Sequence, residues 1–349
     1  MRFILPIIVL TLSACAQDKT PEPSSMVADK SSAVAEPIKI GDIMSYTFAP
    51  SVTLPSKQGL TLAMEEINAS GGVLNRPLEI ISRDPQGNPA DATRLAIELI
   101  ERDQVDVLVG TVMDNVKLAV SDVARQYEIP FFCSSSGTER LTIENGHPYV
   151  FRTGERFPNL MAALTEAALP YEAKRWVTVA PTMEYGLEMV KELKAALAKL
   201  DPEAEIISEQ WYPMGKMDAG AVTQTLVKLQ PDAIMSGVLG HDMTEFVRQG
   251  KQRGLFEETF VMAPYLGVPG WLSVLGAETP EGWLTNGYPA DEIDTPKHKA
   301  FVKKFEQRYP DEELRVGVIH SYITLHAIAA AIEQAGTTNA QAISKSAHG

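Results

Sequence analysis

A run of short hydroxyl side chains is the most chemically suggestive feature of the sequence. Ser134, Ser135, Ser136, Gly137 and Thr138 come directly after the apolar Phe131-Phe132-Cys133. Hydroxyls and freed backbone N–H groups at a strand end can hold a small anion such as a carboxylate. The same run also suits a plain polar turn. Nucleophilic chemistry fits poorly, because no G-x-S-x-G elbow surrounds these serines. Cys133 has no histidine clearly placed to partner it and reads as a small buried thiol. The histidines at 147, 241, 298, 320, 326 and 348 form no H-E-x-x-H or similar metal pattern. His320 and His326 are six apart and share a helix face badly. No G-x-G-x-x-G or G-x-x-x-x-G-K-S/T phosphate loop is present, so a nucleotide enzyme loses most of its support. Residue types therefore give little support to a hydrolase, a histidine metal site or a nucleotide enzyme.

Composition narrows the class further. A chain of 349 residues suggests about two domains. It is 45% hydrophobic, 22% charged and 7% aromatic, an ordinary globular balance. A formal net charge of −14 argues against a nucleic-acid partner. Two cysteines, Cys15 and Cys133, are too few for a disulfide framework.

The elements that must position the hydroxyl run follow an alternating pattern. Strands are expected over 38–44, 78–82, 105–109 and 129–133. Helices are expected over 55–70, from Asn88-Pro89 to about 103, and over 116–127. Leu60, Ala63, Met64 and Ile67 fall at i, i+3, i+4 and i+7, one helix face. Gly71-Gly72 stops that helix, and Asn88 before Pro89 starts the next. Residues 149–153 read as a crossing segment. A second alternation follows, with strands over 176–180, 204–211, 232–238 and 260–263. Its helices span 157–169, 184–200, 218–230 and 241–253. Helices over 301–308 and 316–335 close the chain, the latter apolar on most faces and so expected to be buried. Such alternation implies parallel sheets covered by helices on both faces. The hydroxyl run then lies at a sheet's carboxyl edge, where open α/β sheets bind ligands.

The amino terminus belongs to none of this. Arg2 precedes an apolar run over 3–12 that is too short to span a bilayer and fits a signal-peptide core. Leu12-Ser13-Ala14-Cys15 then resembles a bacterial lipobox, which implies cleavage after residue 14 and lipid on Cys15. An ordinary signal peptide with a chance cysteine is the competing reading. Residues 16–37 are rich in Ser, Pro, Ala and charge and read as a disordered tether. Fully extended, that tether reaches about 70 Å.

Several motifs together resemble the type I periplasmic solute-binding proteins of ABC importers, in the branched-chain amino acid and amide branch. The stretch 63–78, Ala63-Met64-Glu65-Glu66-Ile67-Asn68-Ala69-Ser70-Gly71-Gly72-Val73-Leu74-Asn75-Arg76-Pro77-Leu78, is similar to that family's first helix and its glycine exit. The acidic stretch 84–92, Val109-Gly110, Ile129-Pro130 with the serine run, and Tyr149-Val150-Phe151-Arg152-Thr153 follow in order. Tyr185-Gly186, Pro280-Glu281-Gly282 and the Tyr322 helix continue the match, which covers about 38–349. The resemblance implies an α/β, two-lobed periplasmic-binding-protein type I fold, each lobe a parallel sheet flanked by helices. The N-terminal lobe would comprise 38–152 plus 287–349, and the C-terminal lobe 153–286. Partners would be a small solute and ABC permease subunits of the inner membrane. The location would be the periplasm or cell surface, lipid-anchored. Such proteins are not enzymes; lobe closure creates the surface that a permease recognises.

Carried over residue by residue, the resemblance implies a carboxylate grip by Ser135, Ser136 and Thr138. Asp114 or Asn115 matches a ligand-contacting place after the third strand. Asp114 would accept an ammonium or amide N–H, or would cap the helix beginning near Val116. Tyr185 matches a tyrosine that closes on the solute from the second lobe. Where amino-acid binders carry an acid for the ammonium, this chain has Tyr265 beside Leu266, and Leu239-Gly240 replaces family aromatics. Tyr46, Phe48, Tyr185 and Tyr265 would then line an aromatic cleft able to stack on a ring or hold a quaternary ammonium. The other reading of Phe48 is core packing. The rival function is a non-transport binding module on the same fold, either a ligand sensor or a cell-wall-synthesis partner lipoprotein. The chain stops at Gly349, earlier than most members, which fits a truncated gene, a fragment or a shorter hinge.

Overall fold

The computed structural model describes residues 35–48, 50–135, 137–267 and 272–349, without the side chains of 272 and 273. Cys15, the leader, most of the expected tether and Ser136 lie outside the described residues.

Nine strands are described: β1 (Ile38–Ile43), β2 (Leu78–Arg83), β3 (Val107–Gly110), β4 (Phe131–Cys133), β5 (Val150–Arg152), β6 (Arg175–Pro181), β7 (Glu205–Tyr212), β8 (Ala233–Ser236) and β9 (Phe260–Met262). They form two sheets, ordered β2-β1-β3-β4-β5 and β7-β6-β8-β9. Every pairing is parallel. The helices are α1 (Pro50–Ala69), α2 (Pro89–Glu101), α3 (Asp114–Tyr127), α4 (Phe157–Ala168), α5 (Glu184–Leu200), α6 (Ala219–Leu229), α7 (Gly240–Gln252), α8 (Leu272–Leu275), α9 (Pro296–Arg308), α10 (Val316–Ala335) and α11 (Ala340–His348). The expected α/β fold with two helix-flanked parallel sheets is thus present.

Side-chain alternation explains why both faces of each sheet are covered. Ile38, Ile40, Val107, Val109 and Phe132 pack with α1, α10 and α11. Their neighbours Ile43, Leu108, Phe131 and Cys133 point the other way, into α2 and α3. In the second sheet Trp176, Ala233 and Met235 pack with α4 and α5, while Val177, Val179 and Ile234 pack with α6 and α7. Strands buried on two sides read as apolar runs, which is why they are visible in the sequence.

The structure corrects four readings. Residues 149–153 are not merely a crossing: β5 extends the first sheet, with Phe131 opposite Val150. The run is too short, at 3 residues, to carry a strand pattern of its own. Helix α1 starts at Pro50, not at 55, and keeps Pro55 inside it. Proline has no N–H for the Ser51 carbonyl. The Arg315 guanidinium donates to that carbonyl instead, at 3.1 Å, from the start of α10. Helix α11 has no counterpart in the sequence reading; the Asn339 side-chain oxygen caps it by accepting the Ala342 N–H at 3.1 Å. Finally, α10 is buried on one side only, through residues such as Leu325, Ile328 and Ile332, while Ile323 is exposed. Among the described residues it alone is long and apolar enough to cross a bilayer, yet it serves as the core partner of α1.

Parallel strands send all their carboxyl ends to one edge. The order in each sheet reverses between β1 and β3 and between β6 and β8. Such switch points open a crevice between adjacent loops. The loops or helix starts that follow β1, β3, β4, β6 and β9 carry the candidate residues.

Candidate functional site

The hydroxyl loop after β4 is tied down from three directions. Ser134 N–H donates to the Gly110 carbonyl at 3.1 Å, which extends the sheet pairing by one residue. Ser135 Oγ donates to the Thr111 carbonyl at 2.6 Å, in the loop after β3. Arg152, on β5, donates to the Gly137 carbonyl at 2.8 Å and also to the Thr138 carbonyl. Two carbonyls are thus engaged from behind. Thr138 is fully buried, and its hydroxyl accepts the Arg140 N–H at 3.2 Å.

Beneath this loop sits a charged pair of which the sequence reading found only one member. Lys117 Nζ meets Asp114 Oδ1 at 2.8 Å, and the Lys117 side chain is 1% exposed. The same Asp114 oxygen accepts the Thr138 N–H at 3.2 Å. A Cβ on Gly137 would lie 2.1 Å from that oxygen and 2.2 Å from the ammonium. Only glycine lets the loop approach so closely. Asp114 is the first residue of α3, whose N-cap is Met113, so it does not cap a helix starting near Val116. Its charge favours the helix N-terminus, but its bonds join α3 to the loop. Lys117, Val120, Ser121 and Ala124 fall at i, i+3, i+4 and i+7 and are all buried. A lysine in that stripe was the available signal. Asn115 is exposed, and its side chain accepts the Val116 N–H at 3.0 Å.

The second sheet contributes from the opposite side. Tyr185, in the first turn of α5, packs edge-on against Phe157 with ring centroids 5.9 Å apart. It stands 6.4 Å from the Tyr265 ring. The Tyr185 hydroxyl is buried and has no hydrogen-bond partner among the described residues. Burial first, and the Asp114 carboxylate second, push its pKa up, so the phenol stays a protonated donor. Tyr265 has φ of 66°, a left-handed backbone that costs a non-glycine residue energy. Its N–H is held by Asn286 Oδ1 at 2.6 Å.

Glu184 bridges the two sides. It accepts the Thr138 hydroxyl at 3.0 Å and both contacts of Arg140 at 3.2 Å. Thr138, expected to grip a solute, thus spends its hydroxyl on α5. Neither Glu184 nor Arg140 carries a sequence pattern that marks this bridge.

The loop after β1 holds the remaining aromatics. Tyr46 donates to Asp42 at 2.6 Å, and Lys57 lies 5.3 Å from its ring centroid. Phe48 is 51% exposed, which removes the core-packing reading. Its ring lies against Gly87, where a Cβ would come within 3.1 Å. The contacts therefore join Ser135, Thr138, Asp114, Tyr185 and Tyr265 in one neighbourhood. Tyr46 and Phe48 sit on the adjacent loop. A hollow of about 660 Å³ beside β5, lined in part by His147, Arg152, Arg156 and His348, is a separate feature. Its two arginines share the one carboxylate of Glu139, and the buried Arg152 Nε has no hydrogen-bond partner among the described residues. No group of three or more potential metal ligands occurs among the described residues.

Residues 37–349 match the family model described as periplasmic binding protein. The chain belongs to that family. A leucine-, isoleucine-, valine-, threonine- and alanine-binding protein of Pseudomonas aeruginosa is 24% identical over 313 residues, covering 87% of this chain and 82% of that protein. The Leu/Ile/Val-binding protein of Escherichia coli K12 is 22% identical, with 86% and 81% covered. Among solved structures, a leucine-binding protein from Thermotoga maritima superposes with a TM-score of 0.79 at 22% identity, covering 89% of this chain and 87% of its own. A solute-binding protein of an R. palustris ABC transporter, in complex with benzoate, gives 0.78 at 22%, covering 89% and 85%. The family is one of solute binders, and its structural neighbours are type I periplasmic binding proteins.

Proposed function

We propose that this chain is the extracytoplasmic solute-binding lipoprotein of an ABC importer. It closes on a small amino acid-like, carboxylate or amide solute and presents it to permease subunits in the inner membrane. One lobe comprises 38–152 with 287–349, the other 153–286, and lipid on Cys15 holds the protein at a membrane. It performs no chemistry on the solute. The observation that carries this reading is the hydroxyl loop at a sheet's carboxyl edge, with the buried Tyr185 hydroxyl, unpartnered among the described residues, on the opposite side. A buried donor without a partner is costly and fits a place where a ligand oxygen belongs. The names of the relatives support both amino acids and aromatic acids as solute classes.

A thermal-shift screen with amino acids, amides, aromatic carboxylates and small amines tests the reading. A solute present at a hundred times its dissociation constant adds about 2.7 kcal/mol to stability. Ser135→Ala and Tyr185→Ala are expected to weaken the best hit several-fold. No shift with any solute refutes the transport role, and unchanged affinity in both variants refutes the site.

A further inference from the structure

Two buried hydroxyls lie at the carboxyl edge of the second sheet. Tyr212 ends β7, opposite Pro181 at the end of β6, and Tyr185 follows Pro181 in the first turn of α5. The turn between β6 and α5 is pinned to Tyr212. Thr182 donates to the Tyr212 carbonyl through its N–H at 2.8 Å and through its hydroxyl at 3.2 Å. Tyr212 is 3% exposed. Neither its phenol oxygen nor that of Tyr185 has a hydrogen-bond partner among the described residues. Leu239, which follows β8, brings its main chain near the Tyr212 hydroxyl without completing a hydrogen bond. The Tyr212 side chain therefore crosses the end of β6, since β6 lies between β7 and β8. That end borders the switch point of the second sheet, where a crevice opens. Burial first, then the Asp242 carboxylate and the Tyr185 hydroxyl, hold the Tyr212 phenol well above its usual pKa, so it too stays a protonated donor. The carboxylates at this edge are engaged. Asp242 accepts the Gly215 N–H at 2.7 Å and the Met217 N–H at 3.2 Å, and Glu184 accepts from Thr138 and Arg140. Leu239, Gly240 and Leu266 bring no polar side chain.

We propose that Tyr212 is a second specificity-determining residue of the cleft, its hydroxyl and that of Tyr185 together taking one neutral oxygen acceptor, a carbonyl or a hydroxyl, at the end of the solute that the second sheet holds. The inference rests on the solute-binding reading and adds to it the group read from this side. A neutral oxygen offers two lone pairs, one for each O–H. An apolar group leaves two buried donors unmatched, which is costly. An ammonium brings further donors and leaves both phenol protons without an acceptor. An anion meets the field of Asp114 at Tyr185 and of Asp242 at Tyr212. Of these four kinds of group, only the neutral acceptor meets no penalty, so the pair discriminates against the others.

Calorimetric titration of the full chain with near-isosteric probes tests this. The pairs are L-asparagine against L-leucine and 4-hydroxybenzoate against 4-methylbenzoate, with L-aspartate as the anionic counterpart of L-asparagine. In a pair that binds, the member with the neutral oxygen is expected to bind at least about five-fold tighter, and L-aspartate to bind more weakly than L-asparagine. Tyr212→Phe, which removes the hydroxyl and keeps the ring, is expected to weaken the oxygen-bearing member about five-fold or more and to leave its apolar partner unchanged. The thermal midpoint of the solute-free variant is expected not to fall, because the hydroxyl it loses has no partner in the fold. Equal or tighter binding of the apolar member, or of L-aspartate, overturns the neutral acceptor and leaves the solute-binding reading standing. A preference that survives Tyr212→Phe overturns the assignment to Tyr212. A lowered midpoint overturns it too, by showing a hydroxyl bonded within the fold. Failure of all five probes overturns the neutral acceptor, and only a silent broad screen overturns the function as well.

Discussion

Asp42 shows how one buried group reaches the whole protein's stability. It is fully buried at the end of β1, and its carboxyl pKa is pushed up to about 6 from 3.8. Burial is the main cause, opposed by hydrogen bonds from Tyr46 and Ser82 and by the Lys57 charge. The native state therefore holds a proton that the unfolded chain releases at lower pH. Stability falls as pH rises through the window from about 4 to about 6, by up to about 3 kcal/mol, and stays lower above it. Asp42→Asn keeps an acceptor for Tyr46 and removes the titration. Urea unfolding at pH 4 and pH 7.5 is expected to show the variant gaining on the parent at the higher pH. A difference that does not vary with pH would refute this account. Lys117 is a second buried charge with long-range consequences. Its position in an apolar helical stripe and its i, i+3 spacing from Asp114 are visible in the sequence, but its place beneath Gly137 is not.

At the scale of elements, the crossing of α1 and α10 depends on glycine at a point of contact. A Cβ on Gly59 would lie 2.1 Å from the Val318 carbonyl oxygen, and one on Gly317 would lie 3.1 Å from that of Val52. The two backbones meet with no room for a side chain. Alanine at 59 would raise helix propensity by about 1 kcal/mol, but the steric conflict opposes it. Gly59→Ala is expected to destabilise the fold by a net ~1–3 kcal/mol, read as a lower midpoint in thermal unfolding. A raised midpoint would sink the packing argument. The helix stripe Leu60, Ala63 and Ile67 was legible because apolar spacing is local. The early start of α1 was hidden because Pro55 signals a helix start. The remedy for its missing N–H comes from Arg315, 264 residues from the carbonyl it serves.

Across the whole molecule, Glu184 is one of several polar ties between the sheet-bearing halves, beside the Arg156–Glu139 pair and the Thr153–Thr324 hydrogen bond. It joins α5 to Thr138 and Arg140 of the loop after β4. Arg140 is 41% exposed, so solvent screens the ion pair and the tie is worth about 1 kcal/mol. Glu184→Ala is expected to release a bound solute about five-fold faster. It should also raise the radius of gyration of the solute-free protein in small-angle scattering. Unchanged release and unchanged dimensions together would show that Glu184 holds nothing closed.

Residue order was enough to establish the alternation of strand and helix, the two parallel sheets, and the placement of the hydroxyl run at a strand's carboxyl end. Those features rest on periodicity and turn chemistry within a few residues. Family membership was legible for a similar reason, since its motifs are short and ordered along the chain. Only packing established which charges pair, that residues 150–152 complete the first sheet, and that Thr138 answers to Glu184. The sheet edge and the Thr138 tie join groups far apart in the chain, and the Asp114–Lys117 pair is buried by a loop that comes from elsewhere. Their geometry is set by which strand edges and helix ends the fold brings together. Whether a carboxylate near the cleft is available to a solute or already engaged is therefore a property of packing, not of residue type.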